Sequence, residues 1–75
     1  MKLQPIGSNQ SVLTLADGSE ILFSYSTPVA ARLSHGCYRT EVKFSVTTSK
    51  HINTWGAKGW PTRQQSFFDD LVKGI

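Results

Sequence analysis

Asp17-Gly18 stands between two runs of strand-forming residues, Ser11-Val12-Leu13-Thr14-Leu15 and Glu20-Ile21-Leu22-Phe23-Ser24-Tyr25. An Asp-Gly pair in that setting signals a tight hairpin, because a two-residue type I′ turn needs positive φ at both central positions. Such a turn sets the register. It predicts Leu13 opposite Leu22, Val12 opposite Phe23 and Thr14 opposite Ile21. Both faces of this hairpin then carry apolar residues, so both call for a cover.

A second hairpin follows from the segment Thr27 to Phe44. Thr27-Pro28 interrupts the first pair, and Pro28 belongs at a strand start or a sheet edge because it has no N–H to donate. Val29 to Leu33 and Tyr38 to Phe44 read as strands turning at His35-Gly36. That register pairs Leu33 with Tyr38, Ala31 with Thr40 and Val29 with Val42, an apolar face throughout. On its other face Arg32 falls opposite Arg39, with Lys43 further along. Like charges directly opposite are unfavourable in a sheet. They are tolerated where both side chains splay into water or where an anion is bound.

Helical signals take over beyond Ser45. Thr47 or Thr48 serves as an N-cap for a short helix reaching about Trp55. Thr48, Ile52 and Trp55 share one side of it; Lys50, Asn53 and Thr54 share the other. Gly56 to Gly59 form a loop. Thr62-Arg63-Gln64-Gln65 fits a capping box, with Ser66 as a second possible start, for an amphipathic helix whose stripe is Phe67, Leu71 and Ile75 flanked by Phe68 and Val72. That stripe packs on the sheet or else forms a contact with a partner or a second copy. Residues 1–10, with Pro5, Gly7 and Asn9 close together, read as a loose arm. The expected architecture is therefore α+β. Residues 11–75 form one domain, with a small antiparallel sheet of about four strands in two hairpins, one short helix and one C-terminal helix.

Composition narrows the chemistry. The 75 residues are too few for a second domain. The single cysteine, Cys37, cannot form an internal disulfide, and no apolar run is long enough to span a membrane. With no apolar leader at the N-terminus, these features predict a cytoplasmic protein without a secretory signal. Cys37, His35 and His51 have no zinc-finger or zincin spacing, so no metal and no cofactor is expected. A Cys37–His51 nucleophile pair would need an orienting group and an oxyanion hole that no motif supplies, so no catalytic residues are assigned.

Charge is the remaining signal. The net charge is +3, yet residues 32–63 carry Arg32, Arg39, Lys43, Lys50, Lys58 and Arg63 against Glu41 alone. A basic block of this kind suits a polyanion, although it also serves as an ordinary solvated face. For a nucleic acid, Arg32, Arg39 and Lys43 would meet phosphates, with Lys50 and Asn53 beside them. Trp55 or Trp60, if exposed, would stack on bases. Aromatic residues of this kind belong more often to a core.

Phe23-Ser24-Tyr25, Thr27-Pro28-Val29-Ala30, Tyr38-Arg39-Thr40, Lys43, Ser45, Thr47-Thr48-Ser49-Lys50-His51-Ile52-Asn53 and Trp55 resemble a short uncharacterised domain found in small proteins of tailed phages. The resemblance covers the central half of the chain. It implies a phage or prophage origin, hence a host-cell cytoplasm, and carries no activity. The strand-strand-strand-helix order is also loosely similar to three-stranded DNA-binding domains of phage integrases. Two functional expectations follow. The first is a small non-enzymatic accessory protein binding nucleic acid through a basic sheet face. The alternative is an inhibitor or modulator of a host or defence protein, using Trp55, Trp60, Phe67, Phe68 and Leu71, with a homodimer through the C-terminal helix as a further possibility.

Overall fold

The computed structural model describes residues 2–7, 9–42 and 44–73. Six strands form one mixed sheet in chain order: β1 (Lys2–Gly7), β2 (Gln10–Thr14), β3 (Glu20–Ser24), β4 (Thr27–Leu33), β5 (Gly36–Thr40) and β6 (Thr62–Arg63). Neighbours run antiparallel except β6, which lies parallel to β5. The helices are α1 (Val46–Thr54) and α2 (Gln65–Lys73). The architecture is α+β as expected, with two more strands than the two hairpins supply. One addition is β1, which turns most of the supposed loose arm into an edge strand paired with β2. Pro5 and Gly7 are accommodated because an edge strand needs hydrogen bonds on one side only, and the register shifts between them.

The Asp17-Gly18 hairpin is present with a different turn. Leu15 N donates to the Ser19 carbonyl at 2.8 Å and Gly18 N to the Leu15 carbonyl at 3.0 Å. The loop therefore holds three residues, Ala16 to Gly18, and only Gly18 (φ 91°) is left-handed. Asp17 stays at negative φ because its Oδ1 accepts the Ser19 amide at 2.9 Å, the local bond that aspartate forms in turns. Ser19 donors also hold the Asp17 carboxyl below the usual carboxylate range. The longer loop slips the register by one: Val12 faces Leu22, Leu13 faces Ile21 and Thr14 faces Glu20.

The second hairpin slips by two. Its loop is Ser34-His35, and the pairs are Leu33–Gly36, Arg32–Cys37, Ala31–Tyr38 and Ala30–Arg39. Gly36 has φ 153°, a conformation that favours glycine, and a Cβ there would also lie 2.8 Å from the Tyr38 hydroxyl. An even slip keeps every side chain on its expected face. Arg32 and Arg39 still share a face, but diagonally rather than opposite each other. Pro28 sits where β4 has one neighbour, next to a bulge that leaves Val29 unpaired between Leu22 and Phe23.

Both faces are covered. On one side Val12, Leu22, Val29 and Ala30 pack with Ile52 of α1, Ala57, Trp55 and Trp60. On the other Leu13, Ile21 and Ala31 pack with Phe68, and Leu33, Tyr38, Phe67, Leu71 and Val72 surround them. Ser45, not Thr47 or Thr48, caps α1, its hydroxyl accepting the Thr48 amide at 3.1 Å. The Thr62–Gln65 segment is no capping box, because Thr62 and Arg63 are drawn into β6. There the Pro61 and Arg63 carbonyls accept the Arg39 and Glu41 amides. Gln65 opens α2 and ties it to the sheet: Nε2 donates to the Pro28 carbonyl and Oε1 accepts from Thr40 Oγ1, both at 2.8 Å.

Candidate nucleic-acid interface

The two arginines of the second hairpin do not stand on an open sheet face. Both point to the side covered by α1 and the segment that follows it. Arg32 reaches Glu20 across the β3–β4 pair, with Nη1 2.8 Å from Oε1. Its guanidinium also lies 4.7 Å from the Trp55 ring centre and 5.4 Å from that of Trp60. The two indoles meet edge to face at 5.5 Å. Arg32 therefore forms the outer layer of an aromatic stack, and its charge is matched by Glu20. Cation–π contacts of this kind contribute about 0.5–1 kcal/mol each at exposed sites.

Arg39 is half-buried, and its Nε is shielded from solvent with no hydrogen-bond partner among the described residues. It borders a cavity of about 130 Å³ with Ser49, Ile52 and Thr62. Lys43 lies outside the described residues. Lys50 and Asn53 are exposed on the outer side of α1, as the helical spacing predicts. The structure thus gathers Arg32, Arg39, Lys50 and Asn53 on one side of the molecule, in two layers rather than on one flat surface.

The apolar residues expected to anchor a partner are used within the fold. Phe68 is fully buried, and Phe67 and Leu71 pack around it on the sheet. Trp55 and Trp60 pack on the opposite cluster. Phe67, Phe68, Leu71 and Val72 of the α2 stripe cover the sheet, and Ile75 lies outside the described residues. Arg63 follows the same economy, with its guanidinium 4.6 Å from the Tyr38 ring centre.

Charge is uneven across the sheet. The α1 side holds Arg32, Arg39, Lys50 and Lys58, against Glu20, already paired with Arg32, and Glu41, which borders the cavity beside Arg39. Between Glu41 and Asp69 the sequence has no acidic residue. The α2 side carries Asp69 and Asp70 together with Lys73 and Arg63. Among the described residues no group of three or more His, Cys, Asp or Glu is placed to hold a metal ion. No helix is long and apolar enough to cross a membrane.

A buried polar network lies beneath α1, and sequence reasoning does not single it out. Ser24 Oγ is 2.8 Å from His51 Nδ1 and 3.0 Å from Thr48 Oγ1. All three residues are buried. A signal exists in the spacing: Thr48 and His51 are three apart and lie four and one residues before the inward Ile52, so polar groups recur on the apolar side of the helix.

No curated protein and no solved structure matches the chain. A family model does match, over residues 1–70, which takes in the whole sheet, α1 and most of α2. The chain belongs to this family, described as a family of unknown function (DUF8033).

Proposed function

We propose that this protein is a small, non-enzymatic accessory protein of phage type that binds nucleic acid on the α1 side of its sheet. The observation that carries the reading is a group of cations on one side: exposed Lys50 and Lys58 stand there with Arg32 and Arg39, against Glu20 and the bordering Glu41, whereas on the α2 side Arg63 and Lys73 balance Asp69 and Asp70. A one-sided cationic surface attracts phosphates through counterion release and makes binding fall with salt. Lys50 and Lys58 take the leading part, with Asn53 as a polar neighbour. Arg32 and Arg39 are held more tightly within the fold and contribute mainly to the local potential.

Retention of single- and double-stranded DNA and RNA at low and moderate salt tests this. Binding should weaken as salt rises. Lys50→Ala with Lys58→Ala should lower the salt slope by roughly 1 for each phosphate the protein no longer neutralises, and Lys73→Ala on α2 should change little. Salt-insensitive retention, or retention untouched by the double substitution, refutes the reading.

A second reading has one observation of its own. Val42, Phe44 and Val46 are 40%, 46% and 75% exposed along the segment entering α1. A host protein docking there would make the chain a modulator of that protein. A stoichiometric complex in a pull-down, abolished by Val46→Asp, supports this reading over the first.

A further inference from the structure

The turn between β3 and β4 holds Tyr25 at φ 59°, a left-handed conformation that a bulky side chain rarely adopts. Its amide donates to the Asn9 carbonyl at 2.6 Å, which fixes the turn against the neighbouring β1–β2 connection. The result is a tyrosine ring 55% exposed to solvent, with its centre 6.1 Å from the ring of His51. Phe44, also exposed, stands in the segment that leads into α1. The two aromatics line one cavity of about 160 Å³, and the other walls are Ser24, Thr27, Val29, Ser45 and Thr48. Serine and threonine hydroxyls and two exposed rings therefore converge on a space on the cationic side of the sheet.

That space is about half the lower limit of roughly 300 Å³ for pockets that take drug-sized ligands, so it suits a single ring system. Aromatic walls suit the faces of a flat heterocycle, and hydroxyls suit its hydrogen-bonding edge. No acidic residue occupies the first turn of α1 beside it, so nothing in that turn repels a phosphate. Trp55 and Trp60 are ruled out as stacking platforms by Arg32 and by their packing on the core.

We infer that the Tyr25/Phe44 cavity receives an unpaired nucleobase from a single-stranded nucleic acid, with Thr27 meeting the edge of the base. This rests on the nucleic-acid reading above and narrows it to single strands. Ser24 and Thr48 are already joined to each other and to His51 beneath the cavity, so they hold its floor rigid. The exposed Lys50, further along α1, lies within the same cationic surface for the flanking phosphates.

The test uses the full chain, isotope-labelled, titrated with cytidine and adenosine, with ten-nucleotide single strands of DNA and RNA, and with a ten-base-pair duplex. Single strands should bind more tightly than the duplex and shift the amide signals of Tyr25, Thr27 and Ser45, and the nucleosides should shift the same signals at millimolar concentration. Phe44→Ala, at an exposed position, should weaken single-strand binding roughly 5- to 100-fold and leave duplex retention unchanged; Tyr25→Ala should do the same, while Tyr25→Phe keeps the ring and the affinity. If no oligonucleotide binds, the nucleic-acid reading fails and this inference with it. If oligonucleotides bind but Phe44→Ala keeps full affinity, or the shifts map elsewhere, the base pocket alone is overturned. A dimer seen by light scattering that dissociates on Phe44→Ala also overturns it, because the patch would then belong to a second copy.

Discussion

Ser24 shows how much one small polar residue decides. It is 2% exposed and joins β3 to two side chains of α1. Buried hydroxyls stabilise modestly when paired, but removing one partner leaves the others unsatisfied at a cost of about 1–3 kcal/mol. Ser24→Ala should lower the stability measured by urea unfolding by that amount without changing the slope of the transition; an unchanged midpoint would show that water already serves His51. Arg32 illustrates the opposite case. The sequence marks it as a cation on a sheet face, which is correct. Its engagement by Glu20, Trp55 and Trp60 joins residues 12 to 28 positions away along the chain, and no local pattern encodes such a meeting.

At the scale of elements, the two hairpins are legible in the sequence as hairpins, and their registers are not. Asp17 accepts the Ser19 amide, and that bond favours a three-residue loop over the two-residue alternative. Leu33 pairs with Gly36, whose φ of 153° lies where side chains are rarely found. Both choices turn on features one or two residues from the turn, below what alternation of apolar residues resolves. Helix α2 is better specified, since its apolar stripe has a single surface to cover. Phe68 is fully buried at the centre of that surface. Phe68→Ala should cost roughly 3–5 kcal/mol, a large share of the ~5–15 kcal/mol stability of a small domain. Thermal melting should show a strongly lowered or absent transition, whereas Ser66→Ala on the exposed side of α2 should leave it nearly unchanged.

For the whole molecule, the governing fact is a sheet covered on both faces and left open along β1. Every residue of β1 is exposed, while β3 and β4 contain Ile21, Leu22, Val29, Ala30 and Ala31 at 0% exposure. Local opening is easiest where little apolar surface has to be uncovered. Amide exchange should therefore be fastest in β1 and slowest in β3 and β4; slow exchange throughout β1 would show that its edge is covered in solution. The same two-sided cover divides the basic middle segment, with Arg32, Arg39 and Lys50 on the α1 side and Arg63 over Tyr38 on the α2 side. It places α1 and its lysine on one face of the sheet and the acids of α2 on the other.

The sequence by itself determined the α+β class, the two hairpins, the two amphipathic helices and the need to cover both faces, because periodicity and turn chemistry act over a few residues. It also set the excess of cations between residues 32 and 63. Only the tertiary structure decided that β1 and β6 join the sheet, that Arg32 is held by Trp55 and Trp60, and that Tyr25 and Phe44 line one cavity. Each of these depends on distant segments meeting, which happens only when the chain closes on itself. The Asp17-Gly18 pair marked where the chain turns, and the bond from Ser19 to Asp17 chose how.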